Sequence, residues 1–258
     1  MSFYSGIALS KVAKSLQKLK ISMSDYSMQR AMKTNQMHQN AVEYCRGVGE
    51  SSVCFYDGSE TKDLLTFLQS KMLELVVQII FHKYDLAWQI AEKQVKNYEK
   101  VFTGTFCSYV CTFFRGMSSI AILHTSNNKQ AVKVVKACIK RLKHIVSDRK
   151  KCEGSYCSFS NKLYLLEAEW SVLNGDHIAA EQYYLLSVEH ASRASITHEH
   201  AYACERYGAY LLSLNNEDAS YECIQEAHKL YSKWGAPRKC EMLKGQYPRL
   251  KALLDKNQ

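Results

Sequence analysis

The 258 residues predict an all-α protein built from consecutive antiparallel helical pairs. Three observations carry this expectation. Only two prolines occur, Pro237 and Pro248. Over most of the chain, therefore, nothing fixes φ or removes a backbone donor, which suits long helices. Apolar residues recur at three- and four-residue steps in segment after segment, the period of a helix with one buried face. Short runs of Asn, Asp, Ser and Gly part these segments; such residues bend the chain and cap the helix that follows.

In chain order, residues 1–47 are helical in pattern, with frequent Met and Gln and a weak apolar stripe. They suit an additional helical pair or a docking cap. Residues 48–60 (VGESSVCFYDGSE) read as a loop. Leu64, Leu68, Met72, Leu75 and Ile79 form a strong stripe, broken at His82-Lys83-Tyr84-Asp85. Leu86, Ala87, Ile90, Ala91, Gln94 and Val95 continue it on a second helix. The next pair runs over Phe106–Leu123 and Ala131–Val146, parted at Thr125-Ser126-Asn127-Asn128. A short loop follows at Lys151–Ser155. The third pair runs over Tyr156–Leu173 and Ile178–Ala191, parted at Asn174-Gly175-Asp176. The fourth covers His198–Leu214 and Ala219–Tyr231, parted at Asn215–Asp218. Gly235 suits the position just past a helix end, and Pro237 the first turn of the next helix. The expected organisation is an N-terminal helical segment and loop, 1–60, followed by a repeat array, 61–258.

Within the pairs, a small residue on the first helix is matched by another twelve residues later. The matches are Ser119 with Ala131, Ala168 with Ala180, and Gly208 with Ser220. Leu75 with Ala87 departs from the pattern because Leu75 is large. A bulky residue follows four positions on, at Val135, Tyr184 and Ile224. The design resembles tetratricopeptide repeats. That resemblance implies a right-handed solenoid of tetratricopeptide-like antiparallel helical pairs, in which stacked pairs share the core that one pair cannot form alone. Successive second-helix positions (Ala87, Ala131, Ala180, Ser220) are 44, 49 and 40 residues apart, longer than the roughly 34 residues of a standard repeat.

The C-terminal third is more specific. His200-Ala201-Tyr202-Ala203-Cys204-Glu205-Arg206-Tyr207-Gly208 leads to Ala227-His228-Lys229-Leu230-Tyr231-Ser232-Lys233-Trp234-Gly235-Ala236, then to Lys239, Leu243 and Gln246-Tyr247-Pro248. Tyr84–Ala87, Gly104-Thr105-Phe106 and Ala179-Glu181-Tyr183-Tyr184 add to the likeness. Together they resemble the helical-repeat region that follows the ATPase module in multidomain signalling proteins of the hybrid histidine kinase or serine-threonine kinase–ATPase type. The likeness covers roughly residues 62–250. It implies a connector without catalysis of its own, and the G-x-x-x-x-G-K-[ST] phosphate loop of such an ATPase does not occur in this chain.

Charge singles out one segment. The net charge is +9, and Lys129–Lys151 holds nine Lys or Arg against Asp148 alone. The other residues carry 25 basic and 24 acidic groups, which reads as near neutrality. Lys129, Lys133, Lys136, Lys140 and Lys143 fall within about 80° of one another on a helix, opposite Ala131, Val135, Cys138, Leu142 and Ile145. The stripe fits an electrostatic dock for an acidic protein surface, phosphates or anionic lipid, and equally a solvated outer face. Few aromatic residues interleave with it, so a stacking platform for nucleic acid is not favoured.

Other constellations are weaker. The ten cysteines are irregularly spaced and include no C-x-x-C, which disfavours zinc ribbons and redox pairs. They read as small buried hydrophobes. Cys107 with Cys111, and His200 with Cys204, are i, i+4 neighbours that offer a metal corner or an activated thiol, with no third group indicated. His190, His198 and His200 cluster without a zinc-protease spacing, and His198 and His200 point about 200° apart on one helix. Gly47 and Gly49 lack the preceding strand of a nucleotide loop. Tyr231, Trp234, Tyr247 and Pro248 suit closure of the last repeat or an interface anchor. No uninterrupted run of 18 apolar residues occurs; the best, Leu73–Phe81, contains Glu74 and Gln78. The N-terminus lacks the form of a secretory signal, so a cytoplasmic setting is expected. The function expected is a non-enzymatic, cofactor-free interaction or connector module of intracellular signalling with a protein partner. Two alternatives stand beside it: the C-terminal regulatory part of an ATPase-linked kinase or cyclase, and a basic binder of nucleic acid or anionic membrane.

Overall fold

The computed structural model describes residues 2–25, 28–48, 63–150 and 159–255. Among them it is all-helical, with no strand. The helices are α1 (Leu9–Asp25), α2 (Gln29–Cys45), α3 (Leu64–Ile80), α4 (Tyr84–Gln89), α5 (Tyr98–Val101), α6 (Phe106–Leu123), α7 (Lys129–Lys150), α8 (Ser160–Leu173), α9 (His177–Arg193), α10 (Thr197–Ser213), α11 (Glu217–Trp234), α12 (Pro237–Gln246) and α13 (Pro248–Asp255). The expected loops at 48–60 and 151–155 lie, apart from Val48, outside the described residues.

The turns sit where Asn, Asp, Ser and Gly place them. The side-chain oxygen of Asn128 accepts from the amides of Gln130 and Ala131, capping α7. Asp176 caps α9 by accepting from the amide of Ala179. His82, Asn215, Gly175 and Gly235 all take positive φ just past helix ends. One element departs from the sequence pattern. The helix expected over 86–95 holds six residues as α4 and then widens into a π turn, Ile90–Gln94, closed by the amide of Val95 on the carbonyl of Ile90. Ile90 and Val95, at the two ends of the wider turn, are both buried, whereas Leu86, counted in the expected stripe, is exposed.

The chain forms two compact units. One joins Met1–Cys54 to Ala191–Gln258, and the other is Phe55–His190, a grouping that does not follow the boundary expected at residue 60.

In the Phe55–His190 unit, α6 is the central element, packed by α3, α4, α5, α7 and α8. Its length and composition would let it cross a bilayer, although Arg115 interrupts the apolar run, and 61% of it is buried within the protein. Its hydroxyls bond back along the helix: Thr112 to the carbonyl of Ser108 at 2.9 Å and Ser119 to that of Arg115 at 2.7 Å. Those bonds allow polar groups to sit in the core. α8 is tied to α9 by the Ser187 hydroxyl donating to the Asn161 carbonyl at 2.9 Å and by stacking of Tyr164 on Tyr183.

In the other unit, α10 and α11 fold back on each other about Leu214. Gly208 and Ser220 are equidistant from that turn, and the Ser220 hydroxyl donates to the Gly208 carbonyl at 2.8 Å. A Cβ on Gly208 would come within 2.8 Å of the Ile224 side chain. Both the small pair and its bulky partner four positions on are therefore engaged at this seam. The closing motif does further work. Lys239 Nζ lies 2.7 Å from Glu205 Oε1, with both side chains essentially inaccessible to water. The Tyr231 hydroxyl donates to Glu205 Oε2 at 2.8 Å. The carboxylate is thus satisfied on both oxygens, from α11 and α12 at once.

Trp234 is fully buried, between the stacked ring of His198 and the edge of Phe3. The aromatic closure expected at this end is present, but part of it comes from the N-terminus. Gly6 makes the approach possible: its φ is +74°, and a Cβ there would lie 2.7 Å from the Thr197 amide nitrogen. α2 joins the same core. The Arg238 guanidinium sits 4.2 Å from the Tyr44 ring centroid, and Asn35 donates to the Leu16 carbonyl at 2.9 Å. α1 and α2 are thus a helical pair packed with the C-terminal helices.

Two predictions follow from these contacts. Lys239→Met leaves Glu205 buried without its countercharge and should cost roughly 3–5 kcal/mol. The double variant Lys239→Met, Glu205→Gln should regain most of that loss in urea unfolding. Separately, burial pushes the His38 imidazole from 6.5 down to about 4. The folded state therefore holds it neutral, and its contribution is complete above about pH 6.5 and lost as pH falls toward 4. Between pH 7 and 4.5, the native protein should lose about 2 kcal/mol more stability than the His38→Gln variant does.

Candidate functional site

The basic segment forms α7, whose 22 residues extend about 33 Å. Ala131, Val134, Val135, Cys138, Ile139, Leu142 and Val146 are buried. Lys129, Lys133, Lys136, Lys140 and Lys143 are all exposed. The amphipathic division read from the sequence thus places every one of the five lysines on the solvent face.

The structure separates charges that a count treats alike. Lys143 is engaged: its Nζ lies 2.6 Å from Glu167 Oε1, and that hydrogen bond raises its pKa. Arg141 points away from the stripe. Its Nη1 donates to Glu99 Oε2 at 3.1 Å and its Nη2 to the Ser108 hydroxyl at 2.6 Å, while its guanidinium lies over the Tyr109 ring. Glu99 Oε1 also accepts from Arg115 at 2.9 Å and lies 3.0 Å from the Thr112 hydroxyl, whose one proton it shares with the Ser108 carbonyl. One carboxylate of α5 therefore gathers α6 and α7. Among the described residues Lys129, Lys133, Lys136 and Lys140 make no ion pair, and they span about 16 Å of helix. The side chains of Arg149, Lys150 and Lys151 lie outside the described residues.

Lys133 also borders a cleft of about 230 Å³, lined with Glu99, Thr112, Arg115, Gln130 and Cys138. No local pattern announces it, because Glu99 lies outside the basic segment and on a short helix. A second cleft of about 610 Å³ lies among His228, Glu241, Lys244, Lys251, Leu254 and Asp255. Its charges are mixed, and Lys244 is paired with Glu241 at 2.8 Å. No large apolar side chain is exposed on the described part of α7. Its solvent face thus offers charge and little else.

The other candidates are absorbed into packing. Burial pushes Cys138 and Cys204 up to about 12, and Cys107 and Cys111 upward as well. These thiols stay protonated at neutral pH, against the reading of an activated nucleophile beside His200. His190 lies edge-on to Tyr164, and His198 stacks on Trp234. Among the described residues no three His, Cys, Asp or Glu groups converge as a metal site.

The sequence missed a second basic region. Residues 1–42 contain Lys11, Lys14, Lys18, Lys20, Arg30 and Lys33 against Asp25 alone. Counting the remainder of the chain as one block hides this excess, since the acids that balance it lie elsewhere.

The chain matches no family model, no curated protein and no solved structure.

Replacing Glu99 with Ala leaves two guanidinium groups facing each other without their shared carboxylate. The variant should lose on the order of 2 kcal/mol of stability. Glu99→Gln should lose less, and urea denaturation followed by circular dichroism measures both.

Proposed function

We propose that this chain is a non-catalytic interaction or connector module of intracellular signalling. In this reading its helical pairs stack as a right-handed tetratricopeptide-like solenoid, and the α7 lysine face docks an acidic protein surface. The observation that carries the reading is the row of four exposed, unpaired lysines on a helix whose opposite face is in the core. Nothing else in the fold requires those charges there, whereas Arg141 and Lys143 each have a packing partner. The lack of exposed apolar side chains beside them favours a partner recognised by charge.

The paired small residues, above all Gly208 with Ser220, support the repeat architecture. A second reading, a regulatory part of an ATPase-linked kinase or cyclase, is favoured by the closing motif, whose Glu205, Tyr231 and Lys239 form a buried polar cluster. An immunoblot against residues 244–258 separates the two: a product near 29.6 kDa supports a stand-alone module, and a much larger one supports the connector.

The docking surface is tested with a fluorescent glutamate-rich helical peptide and the full chain. Binding should weaken at least about tenfold between low and physiological salt. Lys133→Glu, Lys136→Glu, Lys140→Glu should abolish it, and Lys143→Gln should leave it near native. Binding that persists at high salt and in the triple variant overturns the assignment.

A further inference from the structure

We propose that the cleft beside α5, α6 and α7 is a binding site for a phosphoryl group. The cleft holds about 230 Å³, and its lining includes Glu99, Arg115, Gln130, Lys133, Ala137 and Cys138. That volume is below the roughly 300–1,000 Å³ of a site for a whole drug-sized molecule, and suits a small oxyanion or one charged group of a larger ligand. Three cations gather here around one carboxylate. Arg115 Nη1 and Arg141 Nη1 both bind Glu99, at 2.9 and 3.1 Å, so a single negative charge is divided between two guanidinium groups. Lys133 is exposed and makes no ion pair among the described residues. Glu99 is the one acid in the lining, and the Cys138 thiol, protonated by burial, adds no charge. Arg115, Arg141 and Lys133 against Glu99 leave an excess of two positive charges.

The hydrogen bonds around these charges are incomplete as well. Arg115 Nε and Arg141 Nε are buried and have no hydrogen-bond partner. A buried donor without an acceptor is costly, and an oxyanion supplies acceptors. The Arg115 side chain is 12% exposed, which leaves it open to the cleft and yet mostly out of water, where a charge-assisted hydrogen bond is strongest. Lys133 and Gln130 bring further donors from α7. A phosphomonoester carries a charge of about −1.5 to −2 at neutral pH and three acceptor oxygens. It therefore matches both the excess of positive charge and the donors arriving from two helices, whereas a carboxylate brings about half that charge. Lys133 belongs to the cleft and to the α7 row alike. The phosphoryl group thus has two sources: a phosphorylated side chain of the acidic partner, which rests on the docking proposed above, or a free phosphate ester, which does not.

The test uses the full chain and two probes. The first is inorganic phosphate, titrated at neutral pH and followed by phosphorus NMR. The native chain should bind it at least about tenfold more tightly than Arg115→Gln or Ala137→Leu does. Ala137 is exposed on α7 and lines the cleft. Leucine there fills the space without altering a buried pair, so its circular dichroism and melting should match the native chain even where Arg115→Gln fails to fold. The variant Lys129→Gln, Lys136→Gln, Lys140→Gln changes no residue of the lining and should leave phosphate binding within about twofold. The second probe is the glutamate-rich helical peptide with one central serine, phosphorylated or not. Phosphorylation should strengthen its binding by about tenfold or more, a gain that Ala137→Leu removes. Phosphate that does not bind, or that binds Ala137→Leu as tightly as the native chain, overturns the site whatever the peptide does. Phosphate bound in the cleft while the unphosphorylated peptide does not bind overturns the docking surface alone. Phosphate bound without a gain on peptide phosphorylation upholds the site and assigns it to a free ester.

Discussion

A lysine ammonium and a glutamate carboxylate withdrawn together from water hold the C-terminal helices in one arrangement. Lys239 and Glu205 are almost wholly inaccessible. Desolvating two such charges costs several kcal/mol each, and only close geometry with further hydrogen bonds repays it. Here the repayment requires α10, α11 and α12 together, because Glu205 takes Lys239 from one helix and the Tyr231 hydroxyl from another. A slide of any one helix by a turn would strand a charge. The neighbouring contacts inherit that precision: Trp234 against His198 and Phe3, and Arg238 against Tyr44.

The Phe55–His190 unit uses a related device in a wetter place. Glu99 joins Arg115 of α6 and Arg141 of α7, and the three side chains are 12–30% exposed. Desolvation there is milder, and the gain is orientation. Pinning Arg141 inward turns α7 so that its lysine row faces water. A structural ion pair thus sets the direction in which a separate row of charges is presented.

Much of the fold was legible because helices declare themselves through local signals. The span Phe106–Leu123 matched α6 in full, and the break residues His82, Gly175 and Asn215 turned the chain where their conformational freedom allows. The π turn at Ile90–Gln94 was not legible, since the same apolar residues fit a regular helix until one amide shifts its partner. The lysine row was visible as a period, but the pairing of Lys143 with Glu167 depends on a helix that lies more than twenty residues onward. The basic excess of residues 1–42 was written plainly in the chain and was lost by averaging. The role of Phe3 had no local sign at all, because it rests on a contact with Trp234 near the other end of the sequence.

That contact bears on the order in which the molecule comes into being. α1 and α2 are made well before Trp234, Arg238 and Lys239, yet the core they complete needs those residues. The Phe55–His190 unit is one continuous stretch and can begin to fold while the remainder is still being made. The other unit must wait, and its closure bridges most of the chain length, an ordering of high contact order and correspondingly slow. During that interval α1 can pair with α2, its principal neighbour, while the C-terminal helices against which the pair closes are still to come. The nascent chain therefore carries an early helical pair whose C-terminal cover does not yet exist, and its safe handling becomes a matter of timing as much as of stability.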